Sequence, residues 1–256
     1  MIGNQKNVLG IIPARYNSSR LKGKPLALID EKPMIQHVYE RASKVLNHVV
    51  VATDDNRIAD CVKEFGGQVQ MTSPNHQTGT NRCLEAYLNW QKEHTTTPSV
   101  ILNIQGDEPL LNEDHLIKII NCFNDTQTTI ASLALILTEK DQLNPGNVYL
   151  VKDKNENAIY FSRNPIPFLR DIEPKKWTQH HTFFQHIGLY GFTVDALVKF
   201  CSLPEAELEK KEKLEQLRWL ENGEKIKIAV TNQLSHPVDT IDDLNKVREL
   251  FKSKEK

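Results

Sequence analysis

Arg15, Arg20, Lys22 and Lys24 stand within ten residues of one another, directly after the apolar run Val8–Ile12. A loop at the carboxyl end of a strand is where open α/β sheets bind ligands. Four cations there suit a polyanion such as a nucleoside triphosphate, because guanidinium and ammonium groups match phosphate oxygens in charge and geometry. A solvated basic loop is the plainer alternative. Two acidic positions accompany it. Asp107 lies in Gln105-Gly106-Asp107-Glu108-Pro109, after the apolar run Val100–Ile104. There an aspartate can hold Mg²⁺ together with substrate phosphates, or simply cap a turn. Asp239 lies in His236-Pro237-Val238-Asp239-Thr240. It reads first as the N-cap of the last helix and second as a metal carboxylate. If both lie at one sheet edge, they converge on a single cation. The polar stretch Thr72 to Arg82 leads into a helix whose N-terminus favours anionic or carbonyl-rich ligands. Arg82 opposes the helix dipole in that first turn, which a nearby anion would explain.

The elements that must hold these residues alternate. Strands are expected at Val8–Ile12, Val49–Ala52, Val69–Met71, Val100–Ile104 and Ile130–Leu135. Helices are expected at Pro33–Val45, around Ile58–Phe65, from Thr80 to Trp90, and after Asn112, which can cap. This βαβα order predicts a mostly parallel sheet with helices on both faces. The pattern then changes. Val148–Lys152 and Ala158–Ser162 read as a hairpin, and Asn164 to Lys176 as an irregular, proline-rich excursion. A strand at His186–Phe192, one helix over Leu208–Asn222, a strand at Ile226–Val230 and a helix over Thr240–Phe251 complete the reading. The α/β core is therefore expected over 1–144 and 185–256, with a smaller lobe inserted at 145–184. A frayed tail is expected over Lys252–Lys256.

Composition narrows the function classes. A net charge of −1 gives no overall field for nucleic acid or an acidic membrane surface. No apolar run is long enough to span a bilayer, and the polar start shows no secretory signal. The four cysteines, Cys61, Cys83, Cys122 and Cys201, are scattered without metal-ligand spacing and suit a reducing cytoplasm. The spacing of His180, His181 and His186 fits no standard metal motif.

Taken together, the segments resemble the 3-deoxy-manno-octulosonate (Kdo) cytidylyltransferase family. The resemblance runs from Ile11–Leu26 through Val51-Ala52-Thr53-Asp54, Met71–Ser73, His76–Arg82 and Gln105–Pro109. It continues through Tyr160–Arg163, His186–Gly191, Leu214–Arg218 and Val238–Thr240. It implies a nucleotide-diphospho-sugar transferase, Rossmann-like α/β fold with a dimerisation lobe. It also implies transfer of CMP from CTP to an octulosonic acid, feeding lipopolysaccharide or capsule assembly. Arg15 and Lys24 match the triphosphate positions, and Asp107 and Asp239 match the Mg²⁺ ligands. Pro13, Ala14, Thr72, Gln77 and Arg82 match the cytosine and ribose side. Arg163, His186, Tyr190, Glu215 and Gln216, with Gln105, match the sugar side. A homodimer is expected, with Pro165, Ile166, Pro167, Phe168 and Trp177 as an apolar surface for a partner to cover.

Two positions depart from the family pattern. Asn81 replaces an acidic residue, and Tyr149 stands where Asn147-Val148-Tyr149-Leu150 would carry lysine. They read either as surface drift or as marks of a related sugar acid, such as the 8-amino analogue. Two other functions remain open at this point. A glycosyltransferase would more often show Asp-x-Asp, whereas Asp107 is followed by Glu108-Pro109. A nucleotide-binding regulator would bind CTP without releasing pyrophosphate.

Overall fold

Strand β1 (Val8–Ala14) contains no polar side chain, and both of its faces are buried, as a central parallel strand requires. The computed structural model describes residues 7–17, 20–138, 143–144 and 146–254. The polar residues 1–6, Ser18 and Ser19 of the basic loop, Pro145 at the expected lobe boundary and the last two residues lie outside the described residues. The chain is an α/β protein with a mostly parallel sheet flanked by helices. It divides into two compact units, one of residues 1–117 and 235–256, the other of residues 118–234. These divisions fall at other points than the 145–184 stretch singled out by composition.

In the first unit β1 is followed by β2 (Leu28–Ile29), β3 (Lys32–Pro33), α1 (Met34–Ser43), β4 (His48–Thr53), α2 (Asn56–Glu64), β5 (Val69–Met71), α3 (Gly79–Glu93) and β6 (Val100–Asn103). The order β6-β1-β4-β5 is parallel throughout. All four strands therefore end at one edge. Ala14 is level with Thr53, which is level with Met71, and Ile11 is level with Asn103. β2 and β3 form a two-residue hairpin that sequence reading missed. Asp30 and Glu31 both take positive φ there (45° and 63°), a conformation usually signalled by Asn-Gly. Helix α4 (Glu113–Cys122) spans the division between the units. Asn112 caps it as expected, accepting from the Asp114 amide at 2.9 Å.

The second unit holds β7 (Ile130–Ile136), β8 (Tyr149–Lys152), β9 (Ala158–Ser162), α5 (Trp177–His180), β10 (Phe184–Phe192), α6 (Val194–Ser202), α7 (Glu207–Glu212), α8 (Leu217–Glu221) and β11 (Lys227–Thr231). β11 pairs with β7 in parallel, whereas β7, β10, β8 and β9 run antiparallel to their neighbours. The single helix expected over Leu208–Asn222 is broken. Lys213 takes φ 54° after α7, and α8 starts only at Leu217. The sequence pattern shows no glycine or proline there; long-range hydrogen bonds make the break. Helix α6 had no counterpart in the reading, although Thr193 caps it and Asp195 lies in its first turn.

Helix α9 (Ile241–Lys254) returns to the first unit. It continues three residues beyond Phe251, into the segment expected to fray. Val238, Leu244 and Val247 pack in one buried cluster with Ile29, Met34 and Leu110.

Candidate functional site

The basic loop and the Gln105–Pro109 turn follow the carboxyl ends of β1 and β6. Gly106 passes directly over Pro13. A Cβ on Gly106 would lie 2.9 Å from the Pro13 carbonyl oxygen, so the approach requires glycine. The basic loop folds back through a Gly23 N–H to Tyr16 carbonyl bond of 2.9 Å, with Gly23 at φ 71° against the Tyr16 ring. The Arg57 guanidinium lies 3.3 Å over that ring and makes a two-pronged pair with Asp55. Sequence reading gave Tyr16, Asp55 and Arg57 no part in this. Lys24 follows at the start of a short 3₁₀ turn.

Lys24 joins the two aspartates. Its ammonium donates to Asp107 Oδ2 at 2.7 Å, to Asp239 Oδ1 at 3.3 Å and to the Val238 carbonyl at 2.8 Å. Arg20 reaches the same Asp239 oxygen at 3.0 Å. The first reading of Asp239 as an N-cap is corrected: Thr240 caps α9, accepting from the Asp243 amide at 3.2 Å. The Asp243 carboxylate in turn accepts from the amides of Asp239 and Thr240. The Asp239 carboxylate is thereby left to the cations. Two hard oxygen donors meeting at one ammonium form the set that Mg²⁺ uses with phosphates, so the residues present fit that ion. Arg15 does not join them. Its guanidinium donates to the Gln77 carbonyl at 2.8 Å. Beside Asp107, burial pushes the Glu108 carboxyl up to about 7; the Ser235 hydroxyl opposes that rise and Asp107 and Asp239 add to it.

Arg82 forms the floor beyond β4 and β5. It is wholly buried, and its Nη1 donates to Thr72 Oγ1 at 2.6 Å and pairs with Asp54 at 3.1 Å. Desolvation lowers its pKa, and Asp54 counters that effect. Its Nε and Nη2, and the Oδ1 of Asn103, find no protein partner. Buried donors in this state are costly unless a ligand supplies acceptors. Thr78 caps α3, accepting from the Asn81 amide at 3.2 Å. The Glu85 carboxylate holds the preceding loop through the Ser73 amide (2.8 Å) and His76. Pro13 and Ala14 end β1, and the Gln105 carbonyl accepts from the Glu108 amide at 3.4 Å.

Of the residues expected on the sugar side, Arg163, His186, Tyr190, Glu215 and Gln216 lie in the second unit and Gln105 in the first. β10 slips register against β7 between Ile187 and Tyr190. That irregularity lets the buried Ser132 hydroxyl meet both His186 Nε2 (2.8 Å) and the Leu189 carbonyl (3.0 Å). The single hydroxyl proton goes to the carbonyl, so His186 Nε2 carries the proton it donates to Ser132. His186 Nδ1 then keeps a lone pair. Burial pushes His186 down to about 3 and lifts Tyr190 well above its ordinary value, with Glu215 adding to the latter. The two rings lie 5.4 Å apart.

Gln216 is buried, and its Nε2 finds no protein partner. The break between α7 and α8 places Glu215 and Gln216 outside regular helix. It is held by Arg218, which makes a buried two-pronged pair with Glu209 at 2.8 and 2.6 Å. Arg163 donates to the carbonyls of Glu212 (2.7 Å), Lys213 (3.2 Å) and Gly146 (3.1 Å), capping the end of α7. That use leaves two of its five N–H groups. Tyr149 is fully buried in β8 and donates to the Asn144 carbonyl at 3.0 Å, so it is a core residue and not surface drift.

A cytidylyltransferase family model matches residues 9–226. The 3-deoxy-manno-octulosonate cytidylyltransferase of Parabacteroides distasonis is 47% identical over 93% of this chain and 95% of that protein. The chain belongs to this family. A second member of similar closeness is the 8-amino-3,8-dideoxy-manno-octulosonate cytidylyltransferase of Shewanella woodyi, 45% identical over 93% of this chain and 96% of its own length. Among solved structures, a CMP:2-keto-3-deoxy-manno-octonic acid synthetase complexed with CTP superposes with a TM-score of 0.87. It is 36% identical, over 97% of this chain and 99% of that one. The matched span covers every segment that carried the resemblance except Val238–Thr240; Glu108, Asp54, Ser132, Glu209 and Arg218 were not singled out for any role. Asp54 and Arg218 stand inside the quoted segments, and Glu108 adjoins Asp107. No local signal points to Ser132.

Proposed function

We propose that this chain transfers the CMP group of CTP to the anomeric hydroxyl of Kdo, with Mg²⁺ held by Asp107 and Asp239, and releases pyrophosphate. The observation that carries the reading is the meeting of Asp107, Asp239 and Lys24 in the same unit as the buried Arg82. The reaction forms a bond from the sugar oxygen to the α-phosphorus and breaks the bond from that phosphorus to the bridging oxygen of pyrophosphate. Lys24, Arg15 and Arg20 would offset charge on the triphosphate and on the leaving group. The two unpartnered nitrogens of Arg82, Nε and Nη2, suit the carbonyl and ring-nitrogen acceptors of cytosine, beside Thr72 and the Gln77 loop. Pro13, Ala14 and Gln105 would line the nucleotide through the strand ends. Bound by its two carboxylates, Mg²⁺ would lower the charge on the α-phosphate and make the attacking hydroxyl more acidic.

The sugar acid would be read mainly by uncharged groups. His186 offers an acceptor at Nδ1, Gln216 an unpartnered amide, and Tyr190 and Glu215 complete the set. Arg163 retains donors for a carboxylate. Kdo is preferred because the more similar of the two relatives carries that substrate in its name. A cytoplasmic location accompanies the reading, since CTP is made there; no helix among the described residues is long and apolar enough to cross a membrane. A homodimer is part of the proposal. Trp177 is buried against Phe183, so Phe168, 75% exposed, is the principal apolar side chain left for a partner.

The test incubates the protein with CTP and Mg²⁺ and each of Kdo, 8-amino-Kdo and sialic acid, following pyrophosphate. Release is expected to be fastest with Kdo. Preference for the amino sugar corrects the substrate, and no release with any of the three overturns the proposal.

A further inference from the structure

We propose that Glu108 is a positioning residue that sets the loop Ser235–Asp239 so that Asp239 faces Asp107. The inference rests on the reading that those two aspartates hold the metal. Glu108 presents both carboxylate oxygens to the loop. Ser235 Oγ donates to one, and the His236 amide donates to the other at 3.2 Å. The neighbouring Asp107 carbonyl accepts from the Val238 amide at 2.9 Å.

Every backbone nitrogen from His236 to Asp239 is accounted for. Pro237 has no N–H, and the Asp239 amide goes to Asp243 at 3.3 Å. Adjacent residues of one turn, Asp107 and Glu108, thus hold a segment 127 positions away in sequence. No other side chain among the described residues is recorded on the Ser235 hydroxyl. With both oxygens turned to the loop, Glu108 serves geometry. A carboxylate displaced by about 1 Å from its place beside its mate loses a cation that a well-held pair retains.

Glutamine at 108 separates shape from charge. Its carbonyl can accept from the His236 amide, and its NH₂ can donate to the Ser235 hydroxyl. Mn²⁺ is titrated calorimetrically into wild-type protein, Glu108→Gln, Glu108→Ala and Ser235→Ala, and CTP affinity is measured separately in EDTA. Glu108→Ala is expected to weaken Mn²⁺ binding by about tenfold to a hundredfold. Ser235→Ala is expected to lose about threefold, and Glu108→Gln to stay within about that range or better. Metal-free CTP binding stays unchanged in all. Equal losses in Glu108→Gln and Glu108→Ala overturn the inference, because charge and not placement would then matter. So does unchanged Mn²⁺ binding in Glu108→Ala. Should that variant fail to fold, Ser235→Ala decides against Glu108→Gln: a loss in the first with retention in the second supports the inference, and any other pattern overturns it. Wild-type protein that takes up no Mn²⁺ overturns the metal reading itself, a result distinct from the others.

Discussion

The two units treat charge in opposite ways. In the first, cations and carboxylates are matched in one cluster, Lys24 between Asp107 and Asp239 with Arg20 beside them. In the second, the His186 ring, proposed to face the sugar acid, is kept neutral. Burial holds His186 far below its ordinary value, and its proton is fixed on Nε2 by Ser132. The contrast follows the substrates proposed for each. A triphosphate brings concentrated negative charge that only opposite charge can balance. The hydroxyls of a sugar acid carry no charge and are told apart by donor and acceptor placement. Neutral groups do this without holding a desolvated charge when the pocket is bare.

The largest effect is expected in the charged unit. Asp107→Asn should lower pyrophosphate release roughly 10²- to 10³-fold with the fold retained by circular dichroism. Near-normal turnover would break the contrast at its stronger end. Arg218→Met tests the other unit through its scaffold. It leaves Glu209 buried without its partner and should cost about 3–5 kcal/mol in urea unfolding. Binding of sugar acid should fall while CTP binding stays within about twofold, since Arg218 and the residues proposed to hold the triphosphate lie in separate units. Equal loss of both ligands would show that the division is not functional.

His186→Asn is the finest probe. It should raise KM for the sugar acid about tenfold and leave KM for CTP alone. It also changes the response to acid. Below its ordinary pKa of 6.5 the unfolded histidine takes up a proton that the folded one refuses down to about 3. Stability is therefore complete above 6.5 and falls as pH drops toward 3, by at most about 1.4 kcal/mol per pH unit from this group. The variant should show a shallower decline in that window; parallel curves would deny the neutral, buried histidine.

Apart from the β2–β3 hairpin, the strands of both units were legible in the sequence, whereas the helices of the second unit were not. Apolar strands such as Val8–Ile12 and Val49–Ala52 announce a parallel sheet by themselves, because both faces are buried. The loops that follow them must then share an edge. Asp239 was harder. Its own neighbourhood fits a helix cap, and only the Thr240–Asp243 pairing shows that the cap lies one residue on. In the second unit, the break at Lys213 depends on Arg163 and Arg218 reaching carbonyl and carboxylate partners far along the chain or across a turn. Helical periodicity runs through it undisturbed. Ser132 sits in an apolar strand, Ile130–Ile136, with nothing beside it to suggest a partner for His186.

Helix α9 completes the buried cluster of Ile29, Met34 and Leu110, yet it is synthesised only after the whole second unit. As the polypeptide leaves the ribosome, the first unit must wait with an oily face uncovered while more than a hundred further residues emerge. A truncation before Ser235 would strip away both the covering helix and one of the two aspartates.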